Sequence, residues 1–364
     1  MASLATRIFV SSLAAAWLAG LVAAPAIAGT VSDQFSAGAA PTNQEAPRTG
    51  FFSDRLIGTN ELSENVGITY DATVTHDSGA PAVGSGFPDR GGTVFRFGLG
   101  TDWQFSSHWA LLARAVGSLP SVSLTAATVP FDTAAGIATT VDAEVRVHSW
   151  SAGGEVGVEY DSLELLKTQL IATLTVGATD YDSTQRLRRL RQVNGTVVTL
   201  AQLQQRCRQK GCSAQIRSLL RRDQFAVVQS YGAADLTAAG HWLEGGLAGT
   251  VYLYSQDPSD LGFFGVAAFG RGAVMGDATT FAPLRWSARA HTLLRAGRWR
   301  VGLTGELDGY VAGLGTSVVE TLKPSFDLTR SLRLWLVAAL QHDWDEQGYA
   351  GTTAWGAIGL RWSY

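Results

Sequence analysis

The sequence predicts an all-β chain whose antiparallel strands close into a membrane-spanning barrel of about twelve strands, with fourteen as the alternative count. Three observations carry this. Runs of alternating apolar and polar residues recur along the chain, many of them ten residues or longer; a tilted strand needs about 9–11 residues to cross hydrocarbon, whereas the mean strand of a soluble domain has about 5–6. Gly 41, 10% aromatic and only 16% charged residues suit many strands joined by tight turns. Past the N-terminus no stretch reaches the roughly 18 uninterrupted apolar residues of a spanning helix, and mean hydropathy is only +0.09.

Residues 1–28 read as a cleaved export signal. Arg7 supplies the positive start, Ile8 to Ala24 the apolar stretch and Ala26-Ile27-Ala28 the small-residue cleavage site. Gly29 to about Gly50 shows no period, so a flexible leader is expected over 29–62, within which Phe51 to Asn60 reads as either a short helix or an extra strand. The barrel is expected over 63–364.

Its first run sets Val66, Ile68, Tyr70, Ala72 and Val74 against Gly67, Thr69, Asp71, Thr73 and Thr75. The second sets Phe95, Phe97, Leu99, Thr101, Trp103 and Phe105 against Arg96, Gly98, Gly100, Asp102 and Gln104. Comparable runs start near Trp109, Trp150, Leu170, Phe225, Leu243, Leu261, Trp286, Val301, Leu322, Leu332 and Ala354, about thirteen in all. Single-chain bacterial barrels have even strand numbers, hence twelve or fourteen. Ser121 to Val147 and Ser230 to Ala239 are ambiguous. Closure follows from solvation: an unpaired backbone edge in lipid costs several kcal/mol per group. The short connections Ser106-Ser107-His108, Ala296-Gly297-Arg298 and Thr329-Arg330-Ser331 fit periplasmic turns, and His76 to Gly91, Leu119 to Val141 and His342 to Ala350 fit outward-facing loops.

The last run sets Tyr364, Trp362, Leu360, Ile358, Gly356 and Ala354 against Ser363, Arg361, Gly359, Ala357 and Trp355. In this it resembles the bacterial outer-membrane β-barrel proteins, the porin-like class, whose closing strand ends on an aromatic residue. The resemblance implies a location in the outer membrane. It also implies insertion by the outer-membrane assembly machinery, with Trp362 and Tyr364 as the assembly signal.

Candidate lumen residues are those on the wet faces: Arg96, Asp102, Arg114, Glu155, Glu159, Arg285, Arg289, His291, Glu306, Asp308, Lys323, Asp327, Arg333 and Arg361. Folding about Gly297 places Arg289 opposite Glu306, with Arg285 and Asp308 nearby. Such pairs serve equally in a packed interior or in a hydrated pore with a transverse field. So many charges are hard to keep dry.

Between Ser183 and Arg222 the alternation stops. The stretch carries Arg186, Arg188, Arg189, Arg191, Arg206, Arg208, Lys210, Arg217, Arg221 and Arg222 and no Asp or Glu. Leu200, Leu203 and Cys207, then Ile216, Leu219 and Leu220, recur at helical spacing, predicting two short amphipathic helices with turns at Asn194-Gly195 and Lys210-Gly211. Cys207 and Cys212 are expected to pair, because exported thiols oxidise. Three roles are open to the arginines: a solvated face, an anion-favouring ring in the barrel mouth, or a grip on lipopolysaccharide phosphates.

Some outer-membrane barrels are lipid hydrolases with a His and a Ser two residues apart on a lipid-facing strand. The nearest match, His148-Ser149-Trp150-Ser151, has the wrong spacing, although a phase change from Val145 and Val147 to Trp150 and Ala152 suggests a bulge there. The other five histidines, His76, His108, His241, His291 and His342, are dispersed. No enzyme, cofactor, metal or nucleic-acid partner is therefore expected. The residues favour a channel or porin for passive diffusion of small polar or anionic solutes. A plugged barrel serving as surface receptor, adhesin or structural protein is the runner-up, and a lipid-modifying hydrolase the third reading.

Overall fold

The computed structural model describes residues 28–40, 49–77, 91–132, 138–162, 168–192, 195–258, 281, 283–311, 315–345 and 348–364. The strands are β1 (Ala28–Ala40), β2 (Thr49–Ser63), β3 (Val66–Asp77), β4 (Gly91–Gln104), β5 (Trp109–Asp132), β6 (Ala138–Asp161), β7 (Gln169–Arg191), the three-residue β8 (Val197–Thr199), β9 (Asp223–Ala239), β10 (Leu243–Tyr254), β11 (Leu284–Ala296), β12 (Trp299–Tyr310), β13 (Thr316–Asp327), β14 (Leu332–Asp345) and β15 (Gly348–Ser363). Each of the long strands pairs antiparallel with two neighbours, β7 passing over β8 to β9, and β1 meets β15 to close the ring. The barrel has fourteen strands, the alternative count.

The shortfall lies at the start. The leader expected over 29–62 is instead two wall strands, β1 and β2, in unbroken register from Ala28 opposite Glu61 to Ala40 opposite Thr49. Phe51 to Asn60 is strand. Alternation is weak here because Asp33 stands on the outward side between Val31 and Phe35. What secures β1 is backbone pairing to strands on both sides, which alternation does not report. The expected signal lies outside the described residues but for Ala28, and so does the run near Leu261.

Register fixes the faces. Phe97, Leu99, Leu174, Leu247, Leu253, Leu303, Leu336, Ile358 and Trp362 point outward and are strongly exposed, as lipid-facing side chains of an isolated barrel must be. Rings gather near the rim that carries the short turns, where Trp109 packs on Tyr160 at 4.8 Å and Trp299 on Phe326 at 4.8 Å. The three expected short turns share this rim with the start of β1 and the end of β15. Leu119 to Val141 is largely strand, however, and β14 and β15 run to within two residues of each other. β5, β6 and β7, at 24, 24 and 23 residues, far exceed a membrane crossing and stand proud of the opposite rim.

The closing seam explains the terminal aromatic. Tyr364 exchanges both backbone hydrogen bonds with Gly29, and its hydroxyl donates to Asn60 Oδ1 at 2.6 Å. A Cβ on Gly29 would meet the Tyr364 ring at 2.6 Å, so glycine lets the ring lie flat across β1 to reach β2. Deleting Tyr364 removes three hydrogen bonds, each worth about 1 kcal/mol. Refolding yield, read as the fraction of closed, heat-modifiable barrel on unheated gels, is expected to fall; an unchanged fraction refutes this role for the seam.

Candidate functional site: the barrel interior and its outer mouth

Inward positions alternate with the lipid-facing ones, and their charges form two arcs. On the first side Arg114 of β5 pairs with Asp71 of β3 and with Glu155 of β6 at 3.5 Å. Tyr231 of β9 donates to Glu155, and Arg55 of β2 approaches Asp71 at 3.9 Å. Intervening glycines make this girdle possible. A Cβ on Gly98 would strike the Arg114 guanidinium and one on Gly177 the Tyr231 ring, so both side chains lie along the wall. Below, Asp102, Glu159 and Asp161 gather near the short-turn rim, with Asp102 covering Gly67.

Across the lumen, β13 faces β5, with six long strands between them on either side. There Asp327 is shared by Arg300 at 3.1 Å and Arg333 at 2.5 Å, while Lys323 stands over the Trp335 ring at 4.9 Å. Arg361, Arg55 and Arg333 lie within electrostatic reach of Lys323. Toward the short-turn rim, five cations on the wall from β12 round to β2 thus gather with Asp327, which two of them bond, while Glu306 and Asp308 stand higher on β12; an acidic cluster on β4 and β6 lies opposite. The field between them crosses the lumen.

Arg289 does lie opposite Glu306 in register, yet its guanidinium reaches Asp235 of β9 at 3.3 Å. His291 and Arg295 share Glu244. Asp308 is buried between Ser287 and Ser317, and Arg96 stands beside Thr73 and Ser118. Arg285 falls at a register shift at the head of β11 and is exposed. Arg55, Asp71, Tyr231, Asp235, Glu244, Arg295 and Arg300 escaped the sequence reading. Arg55 lies in the stretch read as leader, Tyr231 and Asp235 in an ambiguous segment and Arg295 and Arg300 beside a turn; for Asp71 and Glu244 an inward position was the signal.

The basic stretch divides. Arg186, Arg188, Arg189 and Arg191 belong to β7, and the remainder forms β8 and two helices, α1 (Leu200–Lys210) and α2 (Ala214–Leu219). Thr199 and Gln202 cap α1 reciprocally, and Ser213 caps α2. Gly195 and Gly211 take positive φ at the expected turns. Cys207 and Cys212 are bonded, their Cα atoms 4.9 Å apart.

Leu203 and Leu219, 5% and 1% exposed, pack with Val198 on Val145, Val147 and Leu187. Unbroken pairing from Asp161 opposite Ile171 to Val145 opposite Leu187 puts those wall residues on the same face as Glu155, the inner one. The hairpin therefore docks on the lumen side of the raised wall. This also corrects the bulge expected on β6 at His148. The register shift lies on β5, between Ser118 and Ser121; β6 keeps phase, and what changes is which of its faces is greasy, lipid-facing at Trp150 and hairpin-facing at Val147. His148 thus points outward while Ser149 and Ser151 point inward.

Where β6 and β7 do shift, Glu144 is fully buried and accepts from Arg188 at 2.8 Å and Arg189 at 2.6 Å. Burial alone would raise its pKa, but the hydrogen bonds and charges of Arg189 and Arg188 outweigh it and hold the carboxyl below its ordinary value. A depressed folded pKa gives stability that is complete above the unfolded value near 4.5 and is lost as pH falls through the folded one. Glu144→Gln, by breaking a buried pair, is expected to cost about 3 kcal/mol locally. Amide exchange in α1 at pH 7 checks this. Wild type should loosen likewise only in acid below pH 4.5, and equal protection in both proteins at pH 7 refutes it.

No family model matches this chain, and no curated protein matches it. Solved structures do. A Pseudomonas aeruginosa FadL homologue superposes with TM-score 0.56 at 9% identity, over 93% of this chain and 90% of that one. The Pseudomonas putida toluene transporter TodX gives 0.50 at 10% identity over 94% and 90%. The CymD monoaromatic hydrocarbon channel gives 0.50 at 9% over 93% and 88%. At such identities the likeness is one of fold: the chain has the closed antiparallel β-barrel fold found in outer-membrane channels.

Proposed function

We propose that the chain is an outer-membrane channel for passive diffusion of small polar solutes, with a preference for anions. The observation that carries this is the inner wall from β12 to β2, where Arg361, Arg55 and Arg333 lie within electrostatic reach of Lys323 and, toward the short-turn rim, Arg300 and Arg333 share the carboxylate of Asp327. Cations at a confined aqueous wall raise the local concentration of permeant anions. The transverse field toward Asp102, Glu159 and Asp161 also orients dipolar solutes. The structural neighbours include a monoaromatic hydrocarbon channel and a toluene transporter; the charge density of this lumen supports polar solutes instead. The girdle lying flat against glycines supports a wall lining rather than a packed interior.

A plugged barrel with a receptor or structural role is the second reading, favoured by the hairpin docked inside the mouth. Planar-bilayer recording decides between them. Wild type is compared with a variant in which residues 186–222 give way to a tight turn, which the pairing of Gln185 with Asp223 allows. Steady anion-selective conductance in wild type supports the channel. Silence in wild type with conductance in the variant supports the plug, and silence in both refutes the channel.

A further inference from the structure

The outer face of the raised wall carries a feature that diffusion through the lumen does not use. Going up β6 away from the membrane band, the outward residues are Trp150, His148 and Arg146; opposite them on β7 stand Asp182, Thr184 and Arg186. Trp150 is 38% exposed and is the last large apolar side chain facing outward on β6. An amphipathic ring in that position marks the lipid–water boundary.

One rung higher, Arg222 returns from the end of α2 and its guanidinium donates to Thr184 Oγ1 at 3.0 Å. On the next rung Arg146 and Arg186 are directly opposed, both exposed, with no carboxylate at ion-pair distance among the described residues. Like charges facing each other across strands destabilise a sheet. Three guanidinium groups around one histidine and one hydroxyl form an arrangement that an anion would relieve. His148 sits among them neutral, its pKa lowered by burial and then by Arg146 and Arg222, so the positive charge belongs to the arginines. Of the acids on this side of β6 and β7, Glu144, above Arg146, is buried and held by Arg188 and Arg189, while Asp182, at the Trp150 rung, accepts from Gln224 at 2.5 Å and Asp180 is one rung below.

We infer that Arg146, Arg186 and Arg222 form an outward-facing clamp for the phosphate of an outer-leaflet lipid headgroup. Guanidinium forks match phosphate oxygens bidentately, and the clamp stands just above the aromatic boundary, where a lipid anchored in that leaflet carries its phosphates. The inference rests on the outer-membrane reading but not on conductance.

The test uses the full chain in detergent and diphosphorylated lipid A as probe, with binding read by native mass spectrometry. R146Q/R186Q/R222Q is expected to weaken binding roughly a hundredfold, three surface charges being removed. Unheated gel migration should match wild type, because none of the three lines the lumen and the hairpin keeps its packing through Leu203 and Leu219. Dephosphorylated lipid should bind wild type as weakly as the diphosphorylated lipid binds the variant. Binding by the variant within about threefold of wild type, on a scale where tenfold is 1.4 kcal/mol, overturns the clamp. Equal binding of dephosphorylated lipid overturns it too, and inorganic phosphate binding as tightly as the lipid overturns the lipid assignment. A channel that proves silent while the lipid result holds refutes the diffusion reading alone.

Discussion

Leu203→Asp combined with Leu219→Asp is expected to release the helical hairpin from the inside of the mouth while leaving the barrel closed. Both side chains are nearly inaccessible and pack on Val145, Val147 and Leu187. Full burial of a leucine is worth about 1.5–3 kcal/mol, so the pair forfeits about 3–6 kcal/mol, and each carboxylate must in addition remain in water. The hairpin's other attachments are modest, namely the three rungs between β7 and β8 and the Arg222 bond to Thr184. The ring of long strands owes nothing to the hairpin, so heat modifiability should be unchanged. Tryptic cleavage near Lys210 should accelerate and single-channel conductance should rise. A freed hairpin with unaltered conductance would show that it does not obstruct the pore.

Lys323→Glu with Arg361→Glu should reverse ion preference. A permeant anion about 5 Å from one such cation in water gains about 0.8 kcal/mol, roughly a fourfold enrichment. Reversing the charge turns enrichment into depletion. Two such changes, on neighbouring parts of one wall, are expected to move the anion-to-cation permeability ratio by at least about tenfold. Reversal potential in a salt gradient reads this directly, and a ratio unmoved by the double variant would mean that the basic wall does not set selectivity. Arg289→Gln is the useful contrast. Its guanidinium is engaged by Asp235, away from the basic wall, so the substitution leaves that carboxylate unpaired and should shift the ratio toward cations only slightly.

The strand pattern was legible wherever one face met lipid, because alternation is then imposed residue by residue, as from Phe95 to Phe105. It failed in two informative places. β1 reads as leader because its outward face carries Asp33 and its hold on the wall is backbone pairing. Val145 and Val147 read as a bulge because their apolar partner is the helical hairpin, at Val198, Leu203 and Leu219 much further along the chain, not the membrane. The two helices and the Cys207–Cys212 bond were legible because they are local. The girdle of Arg114 with Asp71 and Glu155 was not. Which carboxylate an inward arginine meets depends on strands three places apart around the ring.

The residues taken in order determined the all-β antiparallel class, the terminal closing strand, the basic stretch and its helices, since each follows from short-range periodicity or composition. Tertiary structure alone decided that fourteen strands close the ring, that the hairpin docks on the inner face, and that Arg146, Arg186 and Arg222 converge outside it. Those outcomes depend on registry between strands far apart in the chain, and registry is settled by pairing and packing energies that no single segment contains.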